Sequence, residues 1–474
     1  MADVFKEETL PVARRVELDA VSSLGRDQTI TSLQQLTRCV LYAVKNTKVI
    51  DVHTHLFPPS HGSLMKWGID ELLTYHYLVS EFFMVAPRYI THDVFFARCK
   101  EEQADLVWDH LFVKRLPISE AQLGVVTTLQ ALGLSKLVQQ RDLHAIRAWF
   151  ARQDPKEHTN KILQLAGVKY LVMTNIPFNK FEASKWVPKR FNLAEFDMNA
   201  FESMIDSVGR PLSQDFDRNK FRTALRIDPI LAGDWGQICE SLEESGLPQT
   251  IEGAKTYLLK WAGIYSPDYL MASTPADFVY GDGDKPRRTH WPTATKMIDE
   301  IMVPVARELK LAVAMKLGAR RGMNERLDCC GGGDGVVIAD TTPLRILCDK
   351  NPDVKFLATF LSRVNQHEVC ILSQKFHNLH IYGCWWYCNN PSIISEMTRM
   401  RLELLGTAFT AQHSDCRVLE QLVYKWRHSR RVIAKALIDQ MSLLFAAGWK
   451  ITPGEIERDV YRLFGGAYEE FLER

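Results

Sequence analysis

The stretch Val49-Ile50-Asp51-Val52-His53-Thr54-His55-Leu56 ends a short run rich in β-branched residues with two histidines one residue apart. Side chains alternate across a strand, so His53 and His55 share a face and their imidazoles can chelate one metal ion. Zinc is the default ion for such nitrogen donors. A His-X-His pair also arises by chance in metal-free loops; its place directly behind Val-Ile-Asp-Val favours a metal site. Asp415, within Gln412-His413-Ser414-Asp415-Cys416-Arg417, is a candidate third ligand. Its competing role is the N-cap of the helix opening at Arg417, which aspartate suits. On local evidence alone the cap weighs at least as heavily. Arg417 either reaches the same site or is a solvated arginine in a first helical turn.

Other segments carry chemistry-bearing side chains, each with a duller explanation. Leu72-Leu73-Thr74-Tyr75-His76-Tyr77-Leu78 sets a histidine between two tyrosines on an apolar helix, as a core residue or a general acid/base. Arg226, in Ala224-Leu225-Arg226-Ile227-Asp228-Pro229, is a charge inside an apolar strand and must find an anion. Asp228 could supply it structurally; a substrate carboxylate is the functional alternative. Leu361-Ser362-Arg363-Val364-Asn365-Gln366-His367-Glu368 is dense in polar donors. Trp385 and Trp386, in Tyr382-Gly383-Cys384-Trp385-Trp386, are either packing or a flat apolar wall suited to a sugar face. Asp328-Cys329-Cys330-Gly331-Gly332-Gly333-Asp334-Gly335 lacks the Gly-Lys-Ser/Thr ending of a P-loop and reads as a flexible loop over the site.

The elements that must position these residues alternate. Extended runs fall near 48–53, 169–174, 223–228, 268–273, 311–316, 354–359, 379–383 and 407–412, with helical periodicity between most of them, as at 294–310 and 392–405. This alternation points to an α/β fold, a (β/α)8 TIM-type barrel, with a doubly wound open sheet as the alternative. In a barrel the last strand closes beside the first, which brings Asp415 to His53 and His55. The gap after the first strand is long for a connection and holds helix-like segments near 71–86, 94–113, 118–132 and 135–153. It reads as a helical insertion at about 60–165. Residues 1–46 form an N-terminal helical segment ahead of the barrel at 47–474, which closes in a C-terminal helical extension. Segment 179–221 is polar and weakly periodic, an excursion over the mouth or a mobile surface loop.

Composition sets the frame. The 474 residues are 46% hydrophobic and 24% charged, ordinary values for a soluble globular protein. A formal net charge of +1 gives no electrostatic case for nucleic acid or an anionic membrane. No apolar run approaches the ~20 residues of a membrane span, and the start of the chain lacks a signal-peptide layout. The ten cysteines are scattered, with no zinc-ribbon pairing, as in a reduced cytoplasmic protein. Cys416, beside Asp415, is a weak candidate nucleophile.

Taken together, these residues resemble uronate isomerase, a branch of the amidohydrolase superfamily. The resemblance is carried by Asp51-Val52-His53-Thr54-His55-Leu56-Phe57, Leu72 to Leu78, Ala224 to Pro229, Ser362-Arg363 with Asn365-Gln366-His367-Glu368, Gly383-Cys384-Trp385-Trp386, and His413-Ser414-Asp415 with Arg417. The motifs follow the family's order from about residue 40 to near the C-terminus. The Leu-Leu-Thr-Tyr-His-Tyr context is that of its compact, divergent branch. Segments 179–221 and 328–335 match none of its motifs.

The resemblance implies a (β/α)8 barrel that interconverts an aldose uronate and its ketose: D-glucuronate with D-fructuronate, D-galacturonate with D-tagaturonate. It implies that His53, His55 and Asp415 hold one divalent metal ion, zinc by default. His76, Tyr77 and Arg417 would serve ring opening and proton transfer. Arg226 and Arg363, with Trp385 and Trp386, would bind the sugar's carboxylate and hydroxyls. A homo-oligomer fits a barrel of this size, although the sequence carries no interface signal. Isomerisation removes a proton from C2 and returns one to C1, through an enediolate that a metal ion or guanidinium stabilises. Asp415 is the favoured base, with His76 and Tyr77 handling oxygen-bound protons. The alternative for the same barrel is metal-dependent hydrolysis of a sugar-acid lactone or related substrate. The strand ending Met315-Lys316-Leu317-Gly318 brings no histidine and weakens that reading. A non-catalytic sugar-binding protein would not require the His-His-Asp set with His76 and Tyr77.

Overall fold

Apolar runs too continuous to face water on either side build one parallel sheet. In the computed structural model, which describes residues 25–187, 193–194, 216–327 and 332–474, its strands are β1 (Val49–Asp51), β2 (Val168–Asn175), β3 (Phe221–Arg226), β4 (Tyr269–Ser273), β5 (Ala312–Leu317), β8 (Phe356–Phe360) and β9 (Leu379–Ile381), side by side in that order. Every neighbouring pair is parallel. Two short strands, β6 (Ala319–Arg320) and β7 (Gly335–Val336), form a separate antiparallel ribbon just beyond β5.

The two-residue period of the strands divides their side chains between two cores. Leu171, Met173, Leu225, Leu270, Val313, Met315 and Phe356 join the large cluster shared with the helices. Ile50, Val52, Tyr170, Val172, Ala224, Tyr269, Met271, Ala312, Ala314 and Leu357 face the other way and pack on one another. Tyr468 and Phe471 of the Ala467–Glu473 helix complete this inner cluster and floor it. Gly465, at φ +111°, leads into that helix; a Cβ there would lie 2.5 Å from Ile50 Cβ, so only glycine allows the approach.

The expected strand near 407–412 shrinks to a single parallel bridge, Thr410 with Tyr382. The chain leaves strand geometry because it must turn toward β1: Asp415 takes φ +52°, its N–H donates to the His53 carbonyl at 3.2 Å, and the His55 N–H donates to the Cys416 carbonyl at 2.8 Å. On the other side Thr410 N–H donates to Ile381 O at 3.1 Å and Gly383 N–H to Thr410 O at 2.9 Å. Residues 410–416 therefore join the last strand to the first, in the manner of a TIM-type barrel.

Between β1 and β2 the chain runs through short helices, among them Ile69–Leu73, His76–Val85, Lys100–Trp108, Glu120–Ala131, Leu143–Phe150 and Pro155–Ala166. Their starts carry ordinary caps: Ser119, Asp142 and Asp154 each accept a first-turn N–H, and Pro155 opens its helix without losing a bond. The helical period expected over 71–86 breaks at Thr74 and Tyr75, where Tyr75 is extended at ψ 143°. The 294–310 period is met by Ala294–Met297, a π-turn at Ile298–Met302 and Val303–Leu309; Pro304 cannot donate back along a regular helix. The Gln421–Ala446 helix packs against Leu33–Asn46, Glu120–Ala131, Pro155–Ala166 and Pro391–Leu405. Residues 1–24, 188–192, 195–215 and 328–331 lie outside the described residues, and with them most of the excursion expected at 179–221 and half of the Gly-rich loop. No helix among the described residues is long and apolar enough to cross a membrane.

Candidate active site

His53 and His55 leave the end of β1 on the same side, and residues 413–416 deliver Asp415 to them. His53 Nε2 lies 2.9 Å and His55 Nε2 3.5 Å from Asp415 Oδ1. One donor atom from each of the three lies within 4.8 Å of the others, a set able to hold a metal ion. Asp51 fixes the approach: its buried carboxylate accepts from Ser414 N–H at 2.9 Å and from Trp426 Nε1 at 2.8 Å. Burial lifts its pKa to about 6 against those bonds. Gly383 admits His413 beneath the site, since a Cβ there would stand 1.9 Å from His413 Cδ2.

The protonation states suit a ligand set. Burial, then Lys316, push His53 down to about 4; burial, then Arg417, push His55 well below the ordinary histidine value. Both are neutral at neutral pH. For Asp415 burial works toward the protonated form, but the neighbouring Lys316, His53 and His55 prevail and hold it well below the usual carboxylate range. Ligands must be deprotonated to bind a cation, and these are.

A cleft of about 290 Å³ opens above these atoms. His55 and Asp415 form part of its floor, Trp385 and Trp386 one wall, and Arg226, Lys316, Arg321 and Arg417 supply positive charge. Arg226 combines the two roles the sequence leaves open. Its guanidinium borders the cleft while Nη2 pairs with Asp228 Oδ2 at 2.7 Å, and Asp228 Oδ1 accepts from Ser273 N–H at 2.9 Å. His76 also lines the cleft, its ring 5.6 Å from that of Trp386; burial, then Arg417, lower its pKa to about 3. Tyr77 packs on His76, ring centroids 4.2 Å apart, but the tyrosine that reaches the cleft is Tyr75.

Arg363 does not join them. It is 65% exposed and pairs with Glu396 at 2.8 Å. It opens a short 3-10 turn, and from there its side chain reaches Glu396 of the Pro391–Leu405 helix. Cys416 is buried and burial pushes its thiol up, which removes it as a nucleophile.

Two cations emerge that the sequence reading passed over. Lys316 is the penultimate residue of β5, a strand buried at every position, with Nζ 2.7 Å from His53 Nε2, 2.9 Å from Asp415 Oδ1 and 4.6 Å from the Trp385 ring. Burial lowers its pKa to about 8 against the pull of Asp415. The signal was present: a lone charge in an apolar strand, the same criterion that singles out Arg226. Arg321 follows β6, pairs with Asp334 and lies 5.7 Å from the Trp386 ring. Nothing in its polar loop distinguishes it in sequence.

Comparison with protein-family profiles gives no match, and neither does comparison with curated protein sequences. Solved structures do match. Uronate isomerase from Bacillus halodurans C-125 superposes with a TM-score of 0.83 at 40% identity, over 94% of this chain and 98% of that one. Uronate isomerase from Thermotoga maritima and glucuronate isomerase from Caulobacter crescentus share the fold, each with a TM-score of 0.68 at 14% identity, over 92% and 94% of this chain and 97% and 96% of theirs. With that identity to the Bacillus halodurans enzyme, held over nearly the full length of both chains, this chain belongs to the uronate isomerase family.

Proposed function

We propose that the protein is an aldose–ketose isomerase of hexuronates, converting D-glucuronate to D-fructuronate and D-galacturonate to D-tagaturonate by proton transfer between C2 and C1. The observation that carries this reading is an ionised Asp415 between two neutral imidazoles, on the floor of a cleft lined by cations. A sugar acid needs such a cleft for its carboxylate, and its C2 proton needs a base near an electrophile.

His53, His55 and one oxygen of Asp415 would hold a single divalent ion, zinc by donor type, and the donor protonation states fit it. When bound, the ion supplies Lewis-acid stabilisation to an oxygen gaining negative charge. The chain's own residues do the rest. Arg226 and Arg417 bind the carboxylate and lower-numbered oxygens of the sugar, and Trp385 with Trp386 packs along its face. His76, neutral in the cleft, accepts the anomeric hydroxyl proton as the ring opens and returns it to the released ring oxygen; Tyr77 holds its imidazole in place. Asp415 takes the C2 proton and returns it at C1, while the O2 hydroxyl proton passes to O1. Arg363, outside the cleft, has no part in this scheme. Around the site the chain forms a (β/α)8 barrel with a helical insertion after its first strand.

The test is a stopped assay of metal-loaded protein with each uronate, ketose being followed through a coupled NADH-dependent reductase, beside a His55→Ala control. Ketose that forms with the wild type and disappears in the control is expected. Stoichiometric metal with turnover of neither uronate would overturn the reading and favour another sugar acid or hydrolysis.

A further inference from the structure

The hydrogen bonds around His53 favour a proton on Nδ1. The single Thr174 hydroxyl proton goes to Thr54 O at 2.9 Å, so toward His53 Nδ1, 3.4 Å away, that oxygen acts as acceptor. Nδ1 therefore bears the hydrogen and Nε2 presents a lone pair. That lone pair faces the Asp415 carboxylate oxygen at 2.9 Å. Two electron-rich atoms hold such a separation only around a shared cation. The Lys316 ammonium is that cation, with Nζ 2.7 Å from the nitrogen and 2.9 Å from the oxygen.

Resting on the metal-site reading above, we propose that Lys316 is the chain's internal counter-ion for the metal seat, and that loading the ion evicts its ammonium toward the sugar side of the cleft. Zinc bonds nitrogen and oxygen donors at about 2.0–2.2 Å, so an ion on His53 Nε2 and Asp415 competes with the ammonium for the same two donor atoms. Both are cations, and at that separation they repel each other. The lysine is attached by a flexible stem with rotatable donors, and it already borders the cleft and lies beside the Trp385 ring. Its route away from the ion leads along that indole face to the place where sugar oxygens bind. Lys316 thus sets how tightly the ion binds, offsets the negative charge its donors gather, and is delivered to substrate once the ion is in place.

The experiment measures cobalt(II) binding to the metal-stripped full-length chain by equilibrium dialysis and by the visible spectrum of the bound ion, with thermal melting of the stripped and loaded forms. Wild type, Lys316→Met, Lys316→Gln and His55→Ala are compared; Lys316→Gln keeps the reading available if Lys316→Met fails to fold. Removing the competing charge is expected to tighten cobalt binding at least about tenfold, with the cobalt spectrum unchanged because its ligands remain. The stripped Lys316 variant is expected to melt below stripped wild type, and loading to close or reverse that gap. A merely structural lysine would lower both melting points alike. Unchanged or weaker cobalt binding in the Lys316 variants, with wild type binding and His55→Ala not, overturns the proposal and leaves the metal site standing. Absence of cobalt from wild type and Lys316 variants alike overturns both.

Discussion

At the scale of single residues, two arginines that look alike in sequence behave in opposite ways. Arg226 sits in a strand whose direction aims it at the cleft, and its partner Asp228 leaves part of the guanidinium facing the pocket. Arg363 starts a 3-10 turn and pairs with Glu396 in solvent. Arg226→Met is expected to raise KM for a uronate at least about tenfold, the value of one charge-assisted hydrogen bond. Arg363→Ala is expected to change kcat and KM less than about twofold, since an exposed pair contributes little. Steady-state kinetics of both variants checks the contrast; a large KM defect in Arg363→Ala would place that side chain at the substrate after all. Asp415→Asn is expected to lose at least about a thousandfold in turnover and with it the exchange of the C2 proton into deuterated solvent. Exchange persisting in that variant would remove Asp415 as the base. His53, His55 and Asp415 were legible in sequence because a strand's two-residue period and a barrel's closure together bring them to one place. Tyr75 was not: the helical period runs through 72–78, but the backbone is extended at Tyr75, and a local break of that kind leaves no periodic trace.

At the scale of elements, buried apolar strands announce themselves, and seven of the expected runs appear as strands of the sheet. The 407–412 run is as apolar as its neighbours, yet it pairs only at Thr410. Its route is set by the need to swing Asp415 to β1, a long-range demand that local composition does not carry. The helix Lys180–Trp186, which follows β2, holds a second hidden requirement. Buried Glu182 accepts from Ile176 N–H at 2.9 Å, and burial raises its pKa to about 8 despite that bond. A carboxyl whose folded pKa exceeds its unfolded value stabilises fully below about 4.5, and that contribution fades as pH rises toward about 8. Glu182→Gln keeps the acceptor and cannot ionise. Its stability relative to wild type is expected to improve between pH 5 and pH 8.5 by roughly 4 kcal/mol, measured by urea unfolding at each pH. A pH-independent difference would contradict this.

For the whole molecule, a net charge of +1 conceals a strong local asymmetry. Among the described residues, four cationic side chains and a single carboxylate border the cleft, so an anion is drawn to the mouth of a nearly neutral protein. Two buried histidines that do not line the cleft add to the protein's sensitivity to acid. His380 bonds Thr410 Oγ1 at 2.9 Å and stacks on Phe471, and burial holds it near 3; burial, then Lys425, bring His428 to about 3. Because these folded values lie below the unfolded value of 6.5, the unfolded chain takes up protons first. Their stabilisation is complete above about pH 6.5 and drains away as pH falls toward 3. The melting temperature is expected to drop progressively below about pH 6, and His380→Gln to shallow that slope; an identical slope would exclude His380 as a contributor. Phe471, on which that histidine stacks, belongs to the floor made by residues 467–473, which seals the core around Ile50 and Val52. During synthesis the first strand therefore emerges long before the side chains that cap it. The nascent chain must carry that apolar core uncovered until the Ala467–Glu473 helix leaves the ribosome, and a delay there would extend the period in which chaperones and proteases can intervene.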